Sequence, residues 1–212
     1  MKRMNKRIFP LIILILCLIF LVSCKQQFTD EEIIAAAAEL ITDAEEINDI
    51  FFGSGIPYSN EGEGAYKAAD KEWLAERGIK STDTLREMTR KAYTEEYSQY
   101  LFSIMLASVR AETSVVSYAS YIDTEDGILV YSKRVDYIKG ELTYHTDKIK
   151  VEKKDGEYAK VSVAVTVENL EGEVQQRTKS FDMVKAGERW LLNSGTFLTY
   201  NKTEEESSKI SE

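Results

Sequence analysis

Cysteine is almost missing from this chain: there are two, Cys17 and Cys24, and none beyond. Everything after residue 24 can therefore hold no disulfide and no thiolate metal site, and catalysis by cysteine is excluded there. Histidine is scarcer still, with His145 alone. A serine triad would have to be built around that imidazole, and one imidazole falls short of the ligand sets that zinc takes. Positive charge is in deficit, with 27 Lys and Arg against 36 Asp and Glu and a formal net charge of −9. A surface of that sign repels phosphate backbones, which removes nucleic acid from the partners to be considered. No internal repeat is present.

What is there begins with a leader. Lys2, Arg3, Lys6 and Arg7 precede an apolar stretch over residues 8–22, broken only by Pro10 and Cys17. That is the positive region and apolar core of a signal peptide. A transmembrane helix wants about 20 apolar residues, and Lys25, Gln26 and Gln27 end this run early. Leu21, Val22, Ser23 and Cys24 resemble the lipobox of bacterial lipoproteins. The resemblance implies a signal peptide over 1–23, cleavage before Cys24 and a diacylglycerol on its thiol, with 24–27 as a short tether. Two fatty chains give lasting membrane binding where one gives only marginal binding. The expected address is the extracytoplasmic face of the cell membrane, with a lipid anchor of the palmitate type. Cleavage removes four basic residues and no acidic one, so the remaining body repels anionic headgroups and stands off on its tether.

Residues 28–200 read as one α+β domain, and 201–212 (NKTEEESSKISE) as a disordered acidic tail. The helical half covers 28–109. From Phe28 the text is FTDEEIIAAAAELITDAEEINDIFFGSG. Thr29 and Glu32 have the spacing of a capping box, with Phe28 and Ile33 as its hydrophobic staple. Ala37, Leu40, Ile41, Ala44, Ile47 and Phe51 continue one helical face, and Gly53 stops it. A helix carrying Tyr66, Ala69, Trp73 and Leu74 is expected next, closed by Gly78. A third holds Leu85, Met88 and Ala92 inward, and a fourth, capped by Thr94, shares Tyr97, Leu101, Ile104 and Met105 on one face.

The sheet half covers 114–200, where the period changes to two. SVVSYASYI and ILVYSKRV flank a hairpin turn at Asp126 and Gly127. Further turns stand at Asp155 and Gly156, at Glu171 and Gly172, and at Ala186 and Gly187. Val161, Val163, Val165 and Val167 alternate with Lys160, Ser162, Ala164 and Thr166, so one face is buried. Tight hairpins make the sheet antiparallel, with the helices laid on one of its faces.

This order of elements, with FDMVKAGERWLLNSGTF as a final hairpin and Trp190 inward, resembles the nuclear transport factor 2-like superfamily. The resemblance implies a cone of helices closed by a curved sheet. IKSTDTLREMTRKAYTEEY is similar to a segment of the cell-wall DL-endopeptidase inhibitors of Gram-positive bacteria, which implies a regulator of cell-wall hydrolases.

The chemistry is sparse. Thr143, His145 and Asp147 project to one side of a strand, so His145 is the candidate proton-transfer group. GSGIPYSNEGEG has no strand feeding it and no lysine and hydroxyl pair to cradle a phosphate. DTEDG has its glycine one place early for a calcium loop, and Arg134 stands where the bidentate glutamate belongs. Twelve tyrosines are the richer signal. Most are expected at the core margin with their hydroxyls at the water boundary, and a cone-shaped fold would line its pocket with Tyr97, Tyr118, Tyr131, Tyr144 and Trp190. The function read from this is a lipid-anchored, non-enzymatic binding domain for an envelope protein or a small ligand, with no metal and no cofactor. A hydrolase regulator, and a small pocket enzyme of isomerase or hydratase type, are the alternatives.

Overall fold

The computed structural model describes residues 28–59, 64–111, 114–134, 141–168 and 172–196. The leader, Cys24 with its 24–27 tether, residues 197–200 and the acidic tail 201–212 lie outside them.

Helix α1 runs over Asp30–Phe52. Thr29 Oγ1 accepts the Glu32 N–H at 3.2 Å and Glu32 Oε2 accepts the Thr29 N–H at 2.8 Å, a complete capping box. Asp30, Glu31 and Glu32 place negative charge at the positive end of the helix dipole. Ile33, Ala37, Leu40, Ile41, Ala44, Ile47, Ile50, Phe51 and Phe52 are all buried, and each large one contributes roughly 1.5–3 kcal/mol. Gly53 caps the end of the helix, and glycine is required there for a steric reason and not a left-handed one. Its φ is −100°, and a Cβ there would meet Asp49 Oδ1 at 2.2 Å. The orphan carbonyls beyond are taken by Arg134, whose Nη2 donates to Gly53 O at 2.5 Å.

Three shorter helices follow: α2 at Lys71–Glu76, α3 at Thr82–Ala92 and α4 at Glu95–Met105. Asp70 caps α2 through the Glu72 and Trp73 N–H groups, and Thr94 caps α4 through Tyr97. Ser81 makes no side-chain cap for α3. Asp123, 41 residues away, accepts the Thr82 N–H at 2.9 Å and its hydroxyl at 2.6 Å instead.

The strands are β1 (Tyr66–Ala68), β2 (Val109–Ala111), β3 (Ser114–Ser117), β4 (Tyr121–Thr124), β5 (Gly127–Tyr131), β6 (Glu141–Asp155), β7 (Tyr158–Glu168), β8 (Val174–Ala186) and β9 (Arg189–Leu192). They form sheets ordered β1-β5-β4, β2-β3 and β6-β7-β8-β9, every pairing within them antiparallel. The protein is α+β, with curved, unclosed sheets. Helix α1 lies on β6 and touches β7 and β9, while α3 bridges α1, α4, β4 and β9. Val161, Val163, Val165 and Val167 of β7 face this core, as their alternation requires. Gly127, Gly156, Gly172 and Gly187 all take positive φ at the expected turns.

Several expectations are corrected. The helix expected from Tyr66 begins only at Lys71, because Tyr66, Lys67 and Ala68 pair with Tyr131, Val130 and Leu129 as an edge strand. The 28–109 half is therefore not purely helical. The strand expected through SVVSYASYI is broken at residues 118–120, where Ser120 binds back to Met105 O. On α4 it is Ser98 and Phe102 that join Leu101 and Met105 inside, while Ile104 is 39% exposed. One sheet was expected, and the β4–β5 hairpin instead forms a separate one with β1 over the far end of α1.

Candidate functional site

Three aromatic or polar clusters stand out, and the five residues expected to line a pocket fall among all three. The first is buried. Asn48 of α1 points inward at a position where the stripe is otherwise apolar. Its Oδ1 accepts from Tyr93 Oη at 2.7 Å, and its Nδ2 donates to Thr196 Oγ1 at 2.9 Å. Tyr144 Oη donates to Thr196 O at 2.8 Å, and Tyr97 stacks on Tyr93 with ring centroids 5.2 Å apart. Burial pushes the Tyr93, Tyr97 and Tyr144 phenols up, so they stay protonated and act as donors. Among the described residues, Tyr93 and Tyr144 bond to an amide oxygen, a hydroxyl and a backbone carbonyl, groups that orient a phenol. The cluster clamps α1, the α3–α4 corner, β6 and the chain near Thr196 together.

The second cluster is open. Tyr66 and Tyr131, cross-strand partners on β1 and β5, have centroids 5.3 Å apart. Tyr118 stacks on Tyr131 at 4.9 Å with the planes 15° apart, and remains 46% exposed. Tyr66 Oη donates to Ala119 O at 2.9 Å, which fixes the ladder. The hydroxyl that would let Tyr66 swing is thus spent on the backbone.

The third cluster closes the other end of the molecule. Phe28 meets Trp190 edge to face at 5.1 Å, and Lys185 Nζ lies 5.1 Å from the Phe28 centroid and 5.8 Å from that of Trp190. A cleft of about 630 Å³ opens beside Phe28, lined by the β6–β7 and β8–β9 turns through Asp155, Glu157, Lys185 and Glu188.

His145 sits apart from all three. It pairs with Ala164, and its Nε2 is 2.6 Å from Thr166 Oγ1, on the face of β7 opposite the buried valines. Beyond it β6 bulges, losing register between His145 and Lys150. Asp147 falls in that bulge and lines a cleft of about 470 Å³ with Lys148, Lys150 and Thr178. His145 is not among the lining residues.

No family model matches the chain, and no curated protein matches it significantly.

Sequence reasoning passed over the inner face of β8. Gln175, Arg177 and Lys179 pair with Val167, Val165 and Val163, so they share the face of Phe181 and Met183. Burial alone pulls the Lys179 ammonium down. The signal was in QQRTKSFDM, where these residues fall in phase with the apolar pair. Among the described residues, no group of three or more His, Cys, Asp and Glu side chains is arranged to hold a metal ion.

Proposed function

We propose that the protein is a lipoprotein, anchored through Cys24 on the outer face of the cell membrane, whose body is a non-enzymatic binding domain. The observation that carries the binding function is the Tyr66–Tyr131–Tyr118 ladder. Rigid aromatic faces with a polar tip supply contact area at low entropic cost, and buried ones normally hide that area. Here nearly half of Tyr118 is open to solvent. The anchor draws its support from the basic residues, the apolar run and Leu21, Val22, Ser23 and Cys24.

We assign the layout to the nuclear transport factor 2-like type, on the strength of a long helix cradled by a curved four-stranded sheet. An envelope protein is the partner this reading favours. The test is twofold. Radioactive palmitate fed to the producing cell labels the wild type and not Cys24→Ala. Tyr118→Ala, folded by circular dichroism, loses at least about tenfold in affinity for the envelope partner recovered by the wild type, the cost of an interface anchor. Unlabelled wild type refutes the anchor, and unchanged binding by Tyr118→Ala refutes the ladder.

A further inference from the structure

We propose that the end of the domain made by the β6–β7 and β8–β9 turns is the face turned to the bilayer, and that its cleft receives zwitterionic phospholipid headgroups. This rests on the anchor proposed above. Four residues, 24–27, separate the lipid from Phe28 inclusive of Cys24, and an extended chain covers at most about 3.6 Å per residue, or about 14 Å in all. Phe28 is fixed to the body. Its ring sits on Trp190, its carbonyl accepts from Lys154 Nζ at 3.2 Å, and the same ammonium pairs with Asp30 at 2.6 Å. The turns around Phe28 are thereby held within the tether's reach of the headgroups.

The opposite pole is out of that reach. Helix α1 has 23 residues and at 1.5 Å each is about 34 Å long. At its far end Ile50 O accepts from Tyr121 Oη at 2.5 Å, so the sheet of β1, β5 and β4 with its tyrosine ladder crowns that end. The charge of the near end also fits a lipid surface. The body as a whole is acidic and is repelled by anionic lipids. The cleft itself has both signs in its lining, with Asp155, Glu157 and Glu188 beside Lys185, whose ammonium donates to the Glu188 backbone carbonyl and lies over the Phe28 and Trp190 rings, which matches a headgroup carrying a phosphate and an amine.

The experiment uses the full chain produced in a bacterial host, purified with its lipid, and reconstituted into vesicles of phosphatidylethanolamine and phosphatidylcholine. Hydrogen exchange is expected to slow at least about fivefold at residues 155–158 and 186–188 on the vesicles, and to be unchanged at residues 118–131. Protection at 118–131, or at neither region, overturns the proposal. Tryptophan quenching by brominated lipid gives a second reading, with Trp190 in Trp73→Phe quenched several-fold more than Trp73 in Trp190→Phe; equal quenching also overturns it. A chain that carries no palmitate and leaves the vesicles refutes the anchor itself, whereas a labelled, bound chain with unprotected turns refutes the orientation alone.

Discussion

Removing one oxygen from the interior tests how the domain is knotted together. Tyr93 is 1% exposed, and its hydroxyl donates to Asn48 Oδ1 at 2.7 Å and lies 3.4 Å from Thr196 Oγ1. Tyr93→Phe keeps the ring and its stacking on Tyr97. It leaves Asn48 Oδ1 buried without a donor, at a cost of about 1–3 kcal/mol. Taking about 2 kcal/mol and the 2–4 °C per kcal/mol typical of a domain this size, Tm falls by about 4–8 °C. Urea unfolding followed by circular dichroism measures the free energy directly. A cycle with Asn48→Leu then isolates the pair, since in that background the hydroxyl has already lost its better acceptor. A coupling of about 1 kcal/mol is expected. A loss below about 0.5 kcal/mol in the single variant, or additivity in the cycle, refutes the clamp.

Other outcomes follow from single contacts. Gly55 has φ +73° and a Cβ there would lie 2.1 Å from Arg134 Nη2, so Gly55→Ala displaces the guanidinium that closes α1, whereas Gly187→Ala, with φ +64° and open space, adds only backbone strain of about 1–2 kcal/mol. Urea midpoints should put the Gly55 variant clearly below the Gly187 one. The Arg90 guanidinium, with help from Gln99, holds the Glu95 carboxyl down from 4.5 to about 2. A depressed carboxylate contributes stability that is present above its unfolded value and is lost as pH falls through about 2, so carbon-13 NMR should show a low midpoint that returns towards 4.5 in Arg90→Ala. Phe181→Ala, at a core site 1% exposed, should cost about 3–5 kcal/mol in the same denaturation assay.

Local grammar made much of the fold readable. The capping box, the stripe through Ala37 to Phe51 and the glycine turns all act within a few residues, and each appears where its spacing put it. What escaped depends on distant partners. Tyr66, Lys67 and Ala68 carry no strand pattern of their own, and only pairing to β5 makes them one. Asp123 looks like part of a turn signal until its carboxylate is found capping α3. The bulge after His145 escaped although LTYHTDKIKV marks it, the apolar positions changing phase from Leu142 and Tyr144 to Ile149 and Val151. The sites divide the same way. Tyrosine abundance marked the residues, while their partition into a buried clamp, an open ladder and an end cleft follows from contacts such as Asn48 to Thr196, which are 148 residues apart.

That separation sets a timetable. Under the export proposed above, a polypeptide threaded through a translocation channel emerges with its first helix long before its last strand, and α1 needs β6, β7 and β9 beside α3 to bury its apolar stripe, and Thr196 beside Tyr93 to satisfy its asparagine. Until the end of the molecule arrives, the early part lacks the four-stranded sheet that covers the rest of its stripe, and the chain remains pliable enough to pass.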